Sequence, residues 1–182
     1  MSKRRLGVLV GGTLGMLGAV LCPALLSATW QATAPRDALA PVAPLVGRWS
    51  GTTEGQPGKG TVEREYERIL GSRFIQARNR STYPPQEKNP KGEVHEDMGV
   101  FSYDSARKRI VLRQFHIEGF VNQYVLDPDS PSGRLVLTSE AIENIPAGWR
   151  ARETLVFSGP DQVEEIFELA EPGKDFEVYS RN

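Results

Sequence analysis

The chain holds two histidines, His95 and His116, and both fall in one stretch, Val94 to Leu126, each followed closely by acid: His95-Glu96-Asp97 and His116-Ile117-Glu118. Imidazoles with neighbouring carboxylates are the groups that bind metal ions, face a haem or move protons near neutral pH. His95 and His116 are therefore candidate metal ligands, with the identity of any metal unknown. No complete catalytic motif accompanies them. The chain contains no Gly-x-Ser-x-Gly elbow and no His-Glu-x-x-His or His-x-His pair, and its single cysteine, Cys22, lies near the N-terminus. No residue is assigned a catalytic role, and an enzyme is the less favoured class.

The elements that must position these side chains begin after an N-terminal region of a different character. Met1-Ser2-Lys3-Arg4-Arg5 precedes an apolar run from Leu6 to Leu26, the basic-then-apolar layout of an export signal. At roughly 20 residues this run is also long enough to span a bilayer. Residues 1–32 are thus read as a signal peptide or an N-terminal membrane anchor. The protein is expected to be exported, periplasmic or secreted, or else held at the membrane by the uncleaved segment. Residues 33–44, rich in alanine and proline, read as a tether ending in a short helical turn at the edge of one domain, residues 45–182.

Without Lys3, Arg4 and Arg5, the 22 basic residues fall to 19 against 23 acidic ones, a net charge of −4. That balance excludes a nucleic-acid partner. With Cys22 in the leader, the exported portion can form no internal disulfide, so packing must hold it together.

From Leu45 onward the pattern is β almost throughout. Ten runs with strand character, from Val46–Thr53 to Phe176–Arg181, are separated by turn-forming sequences such as Leu70-Gly71-Ser72, Glu118-Gly119 and Gly159-Pro160-Asp161. Short strands at near-regular spacing predict an all-β fold, an antiparallel up-and-down β-barrel of about ten strands, because closure removes the exposed edges of so long a meander. Trp49, between Gly47 and Gly51, is expected to cover one end of the barrel, with the glycines allowing neighbouring backbone to approach.

Strand alternation organises the histidine stretch. If Asp104 to Arg107 is a four-residue loop, Tyr103 pairs with Lys108 and His95 lies directly opposite His116. A one-residue slip would turn the two rings to opposite faces. A two-residue loop at Glu118-Gly119 pairs Ile117 with Phe120. One face then carries His95, Asp97, Phe101, Ile110, Leu112, Gln114, His116, Val121, Gln123 and Val125. Arg64, Arg78, Arg80, Arg150 and Arg152 are expected on a solvated outer ladder with Glu63, Glu65, Glu67, Glu164 and Glu168. One arginine could instead enter the lumen to hold a carboxylate.

Gly47-x-Trp49-x-Gly51 with Glu54-Gly55, and the later run Val94 to Phe101, resemble the nitrobindin family, haem-binding β-barrels of the calycin group related to lipocalins and fatty-acid-binding proteins. The resemblance covers roughly Leu45 to Arg181. It implies that His95, Asp97 and Phe101 point into the lumen, and it raises haem as a cofactor. The family ligates haem iron through a histidine towards the C-terminal end of the barrel, and nothing from Ile117 to Asn182 is a histidine.

Together these readings predict an exported β-barrel binding a small hydrophobic molecule, or haem, through His95, Asp97, Phe101, Leu112, Gln114, His116, Gln123 and Trp49. The alternatives are a small-molecule enzyme working by acid–base or metal chemistry in the lumen, and an envelope interaction module. An outer apolar face would be covered by the tether or by a second copy in a homodimer. Contact with a membrane is expected only through an uncleaved N-terminal segment.

Overall fold

A computed structural model describes residues 37–182; the signal or anchor segment and the first residues of the expected tether lie outside the described residues. The described chain opens with a 3-10 helix, Ala40–Leu45, and continues into ten strands: β1 (Gly47–Gly55), β2 (Gly58–Ile69), β3 (Phe74–Tyr83), β4 (Glu93–Asp104), β5 (Arg109–His116), β6 (Val121–Leu126), β7 (Arg134–Glu143), β8 (Arg150–Gly159), β9 (Gln162–Ala170) and β10 (Glu177–Arg181). Each strand pairs antiparallel with the next, and β1 pairs with β10, so the sheet is a closed up-and-down barrel. This is the expected architecture.

Side chains alternate across each strand, and one set of alternate positions fills half of the lumen. Tyr66, Ile75, Phe101, Ile110, Leu112, Tyr124, Leu126, Leu135, Leu137 and Leu155 form one continuous core. The 3-10 helix belongs to that core through Val42 and Leu45, as does Leu39 just before it, so the later part of the expected tether packs as a plug. Asp37 anchors the plug to the barrel rim by pairing with Arg68 at 2.8 Å. Trp49 caps the same end, its indole Nε1 donating to the Leu45 carbonyl at 2.7 Å.

Two hairpins differ from the sequence expectation, with opposite consequences. Between β4 and β5 the loop is Ser105 to Lys108, so Asp104 pairs with Arg109 and His116 sits opposite Asp97, not opposite His95. Lys108 adopts a left-handed φ of 55°, which removes it from the strand. The Asp104 carboxylate accepts from the amides of Ala106 and Arg107 at 3.0 and 3.1 Å, closing the turn from its own strand end. The register moves by two residues in total, and both histidines keep the same face.

The β5–β6 loop holds Ile117, Glu118 and Gly119, one residue more than expected. Phe115 pairs with Val121 and Gly119 takes a φ of 90°, as in three-residue hairpins with a left-handed glycine. That single residue turns β6 over. Asn122, Tyr124 and Leu126 face inward, while Gln123 faces outward and donates its amide to Glu140.

The tight glycine also lies elsewhere than expected. Nothing approaches Gly51 more closely than Val62 at 3.7 Å, and nothing lies within 4 Å of a Cβ on Gly47. At Gly55 a Cβ would stand 2.2 Å from the Tyr179 carbonyl oxygen and 2.7 Å from the Ser180 Cα. Gly55 pairs with Ser180 at the β1–β10 seam, which has only one other pair, Glu54 with Arg181. Gly55→Ala is therefore expected to cost about 3 kcal/mol or more, the range of substitutions that force backbone apart. Urea denaturation checks this, and a loss below about 0.5 kcal/mol, the size of a neutral surface change, would show that the seam yields.

Candidate functional site

The half of the lumen opposite the plug is hollow. A cavity of about 600 Å³ opens at the end formed by the start of β4, the end of β5 and the loops around Phe120 and Pro146. Its apolar rim includes Phe120, Ile142, Ile145, Trp149, Phe167 and Leu169, and its polar wall includes Arg64, His95, Asp97, Gln114, His116 and Asn122. The structure thus brings together four of the expected residues, His95, Asp97, Gln114 and His116. Phe101 and Leu112 lie deeper in the packed core, Trp49 caps the far end, and Gln123 is on the outer surface.

Asp97 is the centre of the polar wall, with 6% of its side chain exposed. Its Oδ1 accepts from Asn79 Nδ2 at 2.6 Å and Gln114 Nε2 at 2.8 Å, and its Oδ2 faces His95 Nε2 at 3.6 Å. Burial works to raise the Asp97 pKa, but the adjoining His95, the hydrogen bond from Gln114 and the charge of Arg64 more than offset it and hold the carboxyl below its usual range.

The two imidazoles are tuned in opposite directions. His95 lies between Asp97 and Glu118, with Nδ1 at 2.7 Å from Glu118 Oε1; Asp97 foremost, and Glu118 after it, push its pKa up to about 9 against the effect of burial. His116 is pushed down to about 4, mainly by burial, with the neighbouring His95 charge adding to the effect. His95 Nε2 and His116 Nδ1 are 3.3 Å apart, so the charged ring donates to the neutral one. The remaining proton of His116 then sits on Nε2, 3.3 Å from the Asn122 amide. The oxygen of that amide otherwise has no partner, and turned towards the ring it accepts the Nε2 proton. Phe120 stacks on His116 with ring centres 4.0 Å apart.

Arg64, expected on the outer ladder, enters the lumen. It meets Glu165 from β9 at 3.4 Å and Ser81 Oγ at 3.4 Å. Burial opposes its charge, and Glu165 more than restores it. Glu153 lies nearby on β8 without a cation of its own. Burial, then repulsion from Glu165 and Asp97, raises its pKa well above the ordinary value and keeps it protonated. Neither Glu153, Glu165 nor Asn122 was expected at the site. Other members of the expected ladder do lie outside, for example Arg152 with Glu168 at 2.6 Å and Arg80 with Glu96.

Haem does not fit this donor set. His95 Nδ1 is taken by Glu118, and His95 Nε2, His116 Nδ1 and Asp97 Oδ2 crowd around one point. A porphyrin needs one free imidazole nitrogen above an open plane, and donors 3.3 and 3.6 Å apart leave no room for that plane.

No family model matches the chain, and no curated protein matches it. Solved structures do match. The crystal structure of Rv2717c from M. tuberculosis aligns with a TM-score of 0.59 at 17% identity, covering 81% of this chain and 94% of that chain. The likeness is one of fold. It shows that the barrel is shared with a known architecture.

Glu153 yields a stability prediction. An unfolded glutamate titrates at about 4.3, whereas the folded one holds its proton to higher pH, so the folded state binds the extra proton and its stability declines as pH rises above about 4.3. Glu153→Gln keeps the shape of the neutral acid and removes that decline. Thermal melts should show the variant stabilised relative to the parent at about pH 8 and equal to it at about pH 4. The opposite order would mean that Glu153 is ionised and paired.

Proposed function

We propose that this protein is an exported binding protein that takes a small molecule into the open half of its barrel. The observation that carries the reading is the division of one lumen into a packed half and a cavity of about 600 Å³, a size and mixed lining suited to a small organic ligand. The basic-then-apolar leader supports a place of work outside the cytoplasm. His95, Asp97, Gly99 and Phe101, the residues of the nitrobindin-like run, share one inner row of β4, but haem is left out of the reading because the donors do not suit it.

The polar wall restricts the ligand's chemistry. Gln114, 6% exposed, and Asn182 are among the residues around the cavity, and the amide oxygen of each is buried without a partner. For Gln114 and Asn182 the assignment is firm, since each amide nitrogen donates to a carboxylate. Buried acceptors without donors are costly. Arg64, the group that would hold a carboxylate, is already occupied by Glu165. The favoured ligand therefore has an apolar body and a head that donates hydrogen bonds, such as an amine, amide or alcohol.

A second reading, acid–base chemistry on the bound molecule, is supported by the adjacent charged and neutral imidazoles of His95 and His116. A third, a contact surface for a second copy, draws on the exposed Met98 of β4, Phe115 of β5 and Ile117 of the loop that follows.

Displacement of an apolar fluorescent dye by alkyl amines, alcohols and fatty acids of matched length tests the leading reading. Amines and alcohols should compete at least about tenfold better than the acids, and Ile142→Trp, which fills the cavity, should weaken all of them by a similar factor, a loss of about 1.4 kcal/mol. Binding unaffected by Ile142→Trp, or a preference for acids, would overturn it.

A further inference from the structure

We propose that His95 Nε2, His116 Nδ1 and Asp97 Oδ2 form a binding site for one divalent first-row transition-metal ion, zinc or iron(II), with its remaining coordination positions open to the cavity. These three atoms come from facing positions on β4 and β5, where Asp97 pairs with His116 and His95 is the next inward residue along β4. All three lie within 4.8 Å of one another. The His95–His116 separation is 3.3 Å and the His95–Asp97 separation 3.6 Å. Bonds of about 2.0–2.1 Å in tetrahedral geometry place neighbouring donor atoms about 3.3–3.4 Å apart. An ion fits between these donors with only small side-chain movement.

The surroundings are those a metal site requires. A ligating imidazole donates its other N–H to a carboxylate or carbonyl, and a ligating carboxylate is itself hydrogen-bonded. Here each of the three donors has such a partner. His95 Nδ1 meets Glu118 at 2.7 Å. His116 Nε2 meets the Asn122 amide at 3.3 Å, whose oxygen has no other partner. Asp97 Oδ1 is held by Asn79 and Gln114, which leaves Oδ2 for the ion. Two imidazoles and one carboxylate on adjacent strands, with open positions on one side, match the donor set of zinc and non-haem iron centres. An ion there would carry one to three exchangeable ligands in the cavity that Glu153 and the apolar rim also line, which makes it a point of attachment or polarisation for the cavity's occupant.

The site lies in the cavity assigned above to a small molecule, but it is tested separately. The full chain, purified in mild detergent and stripped with a chelator, is titrated with zinc by calorimetry and with cobalt(II) by visible absorption. One ion per chain is expected, with the intense d–d bands of four- or five-coordinate cobalt. His95→Ala, His116→Ala and Asp97→Asn should each weaken zinc binding at least about 100-fold, whereas Glu118→Gln, at the rim, should weaken it about tenfold by releasing the His95 ring. Far-ultraviolet circular dichroism confirms that each variant is folded. If the ligand variants do not fold, Glu118→Gln decides: a loss near tenfold supports the site and unchanged affinity overturns it. No binding to the folded parent, or binding unchanged in the folded ligand variants, would overturn the inference, and dye displacement in the same preparation would show whether the small-molecule reading stands without it.

Discussion

Closure of the sheet is the constraint on which everything else rests. Once β1 is joined to β10, every strand has an inner and an outer face, and a lumen exists to be filled, left hollow or made polar. The seam is short, with Glu54 opposite Arg181 and Gly55 opposite Ser180, and is extended by the Gln56 amide donating to Tyr179 at 2.9 Å. Its tightness explains why a residue without a side chain occupies position 55. The contacts that close the barrel thus lie in strands far along the chain from the histidines, yet they determine that His95, Asp97, Gln114 and His116 share an enclosed space.

Inside that space, two solutions to burial sit end to end. At the plugged end, apolar side chains from nearly every strand and the 3-10 helix form one continuous core. At the open end, charges are buried, and each is compensated differently. Asp97 is held by amides and His95, Arg64 by Glu165, and Glu153 by retaining its proton. Burying polar groups costs stability unless their bonds are made. The amide oxygens of Gln114 and Asn182, two of the residues around the cavity, are left without partners, which sets this end apart from the fully packed one.

Most of the barrel could be read from residues in order. The turn-forming sequences bounded ten strands, and the inward row of β4 followed from period-two alternation and the family resemblance. The inner arginine also had a signal, in that Val62, Arg64 and Tyr66 form one row while Glu63, Glu65 and Glu67 form the other. Glu153 between Ala151 and Leu155, and Glu165 between Val163 and Phe167, repeat that pattern. A charged residue in an otherwise apolar alternate row is the mark of a lumen site, and it distinguishes Arg64 from outward-facing Arg80 and Arg152.

Local chemistry in the chain was enough to specify strands, turns and the apolar rows, because alternation and turn propensity act over a few neighbouring residues. Register belongs to a different scale. Whether a loop holds two residues or three was decided by Gly119 at a φ of 90°, and whether Lys108 joins a strand by the Asp104 side chain closing the turn. One residue in the first case exchanged Gln123 for Asn122 at the site, and two residues of shift in the second placed His116 against Asp97 instead of His95. The cavity and the opposite tuning of the two histidines arise only when strands distant in sequence, β2, β4, β5, β8 and β9, face one another across the lumen. Burial and charge at a point are sums over all of these strands, and no single segment contains them.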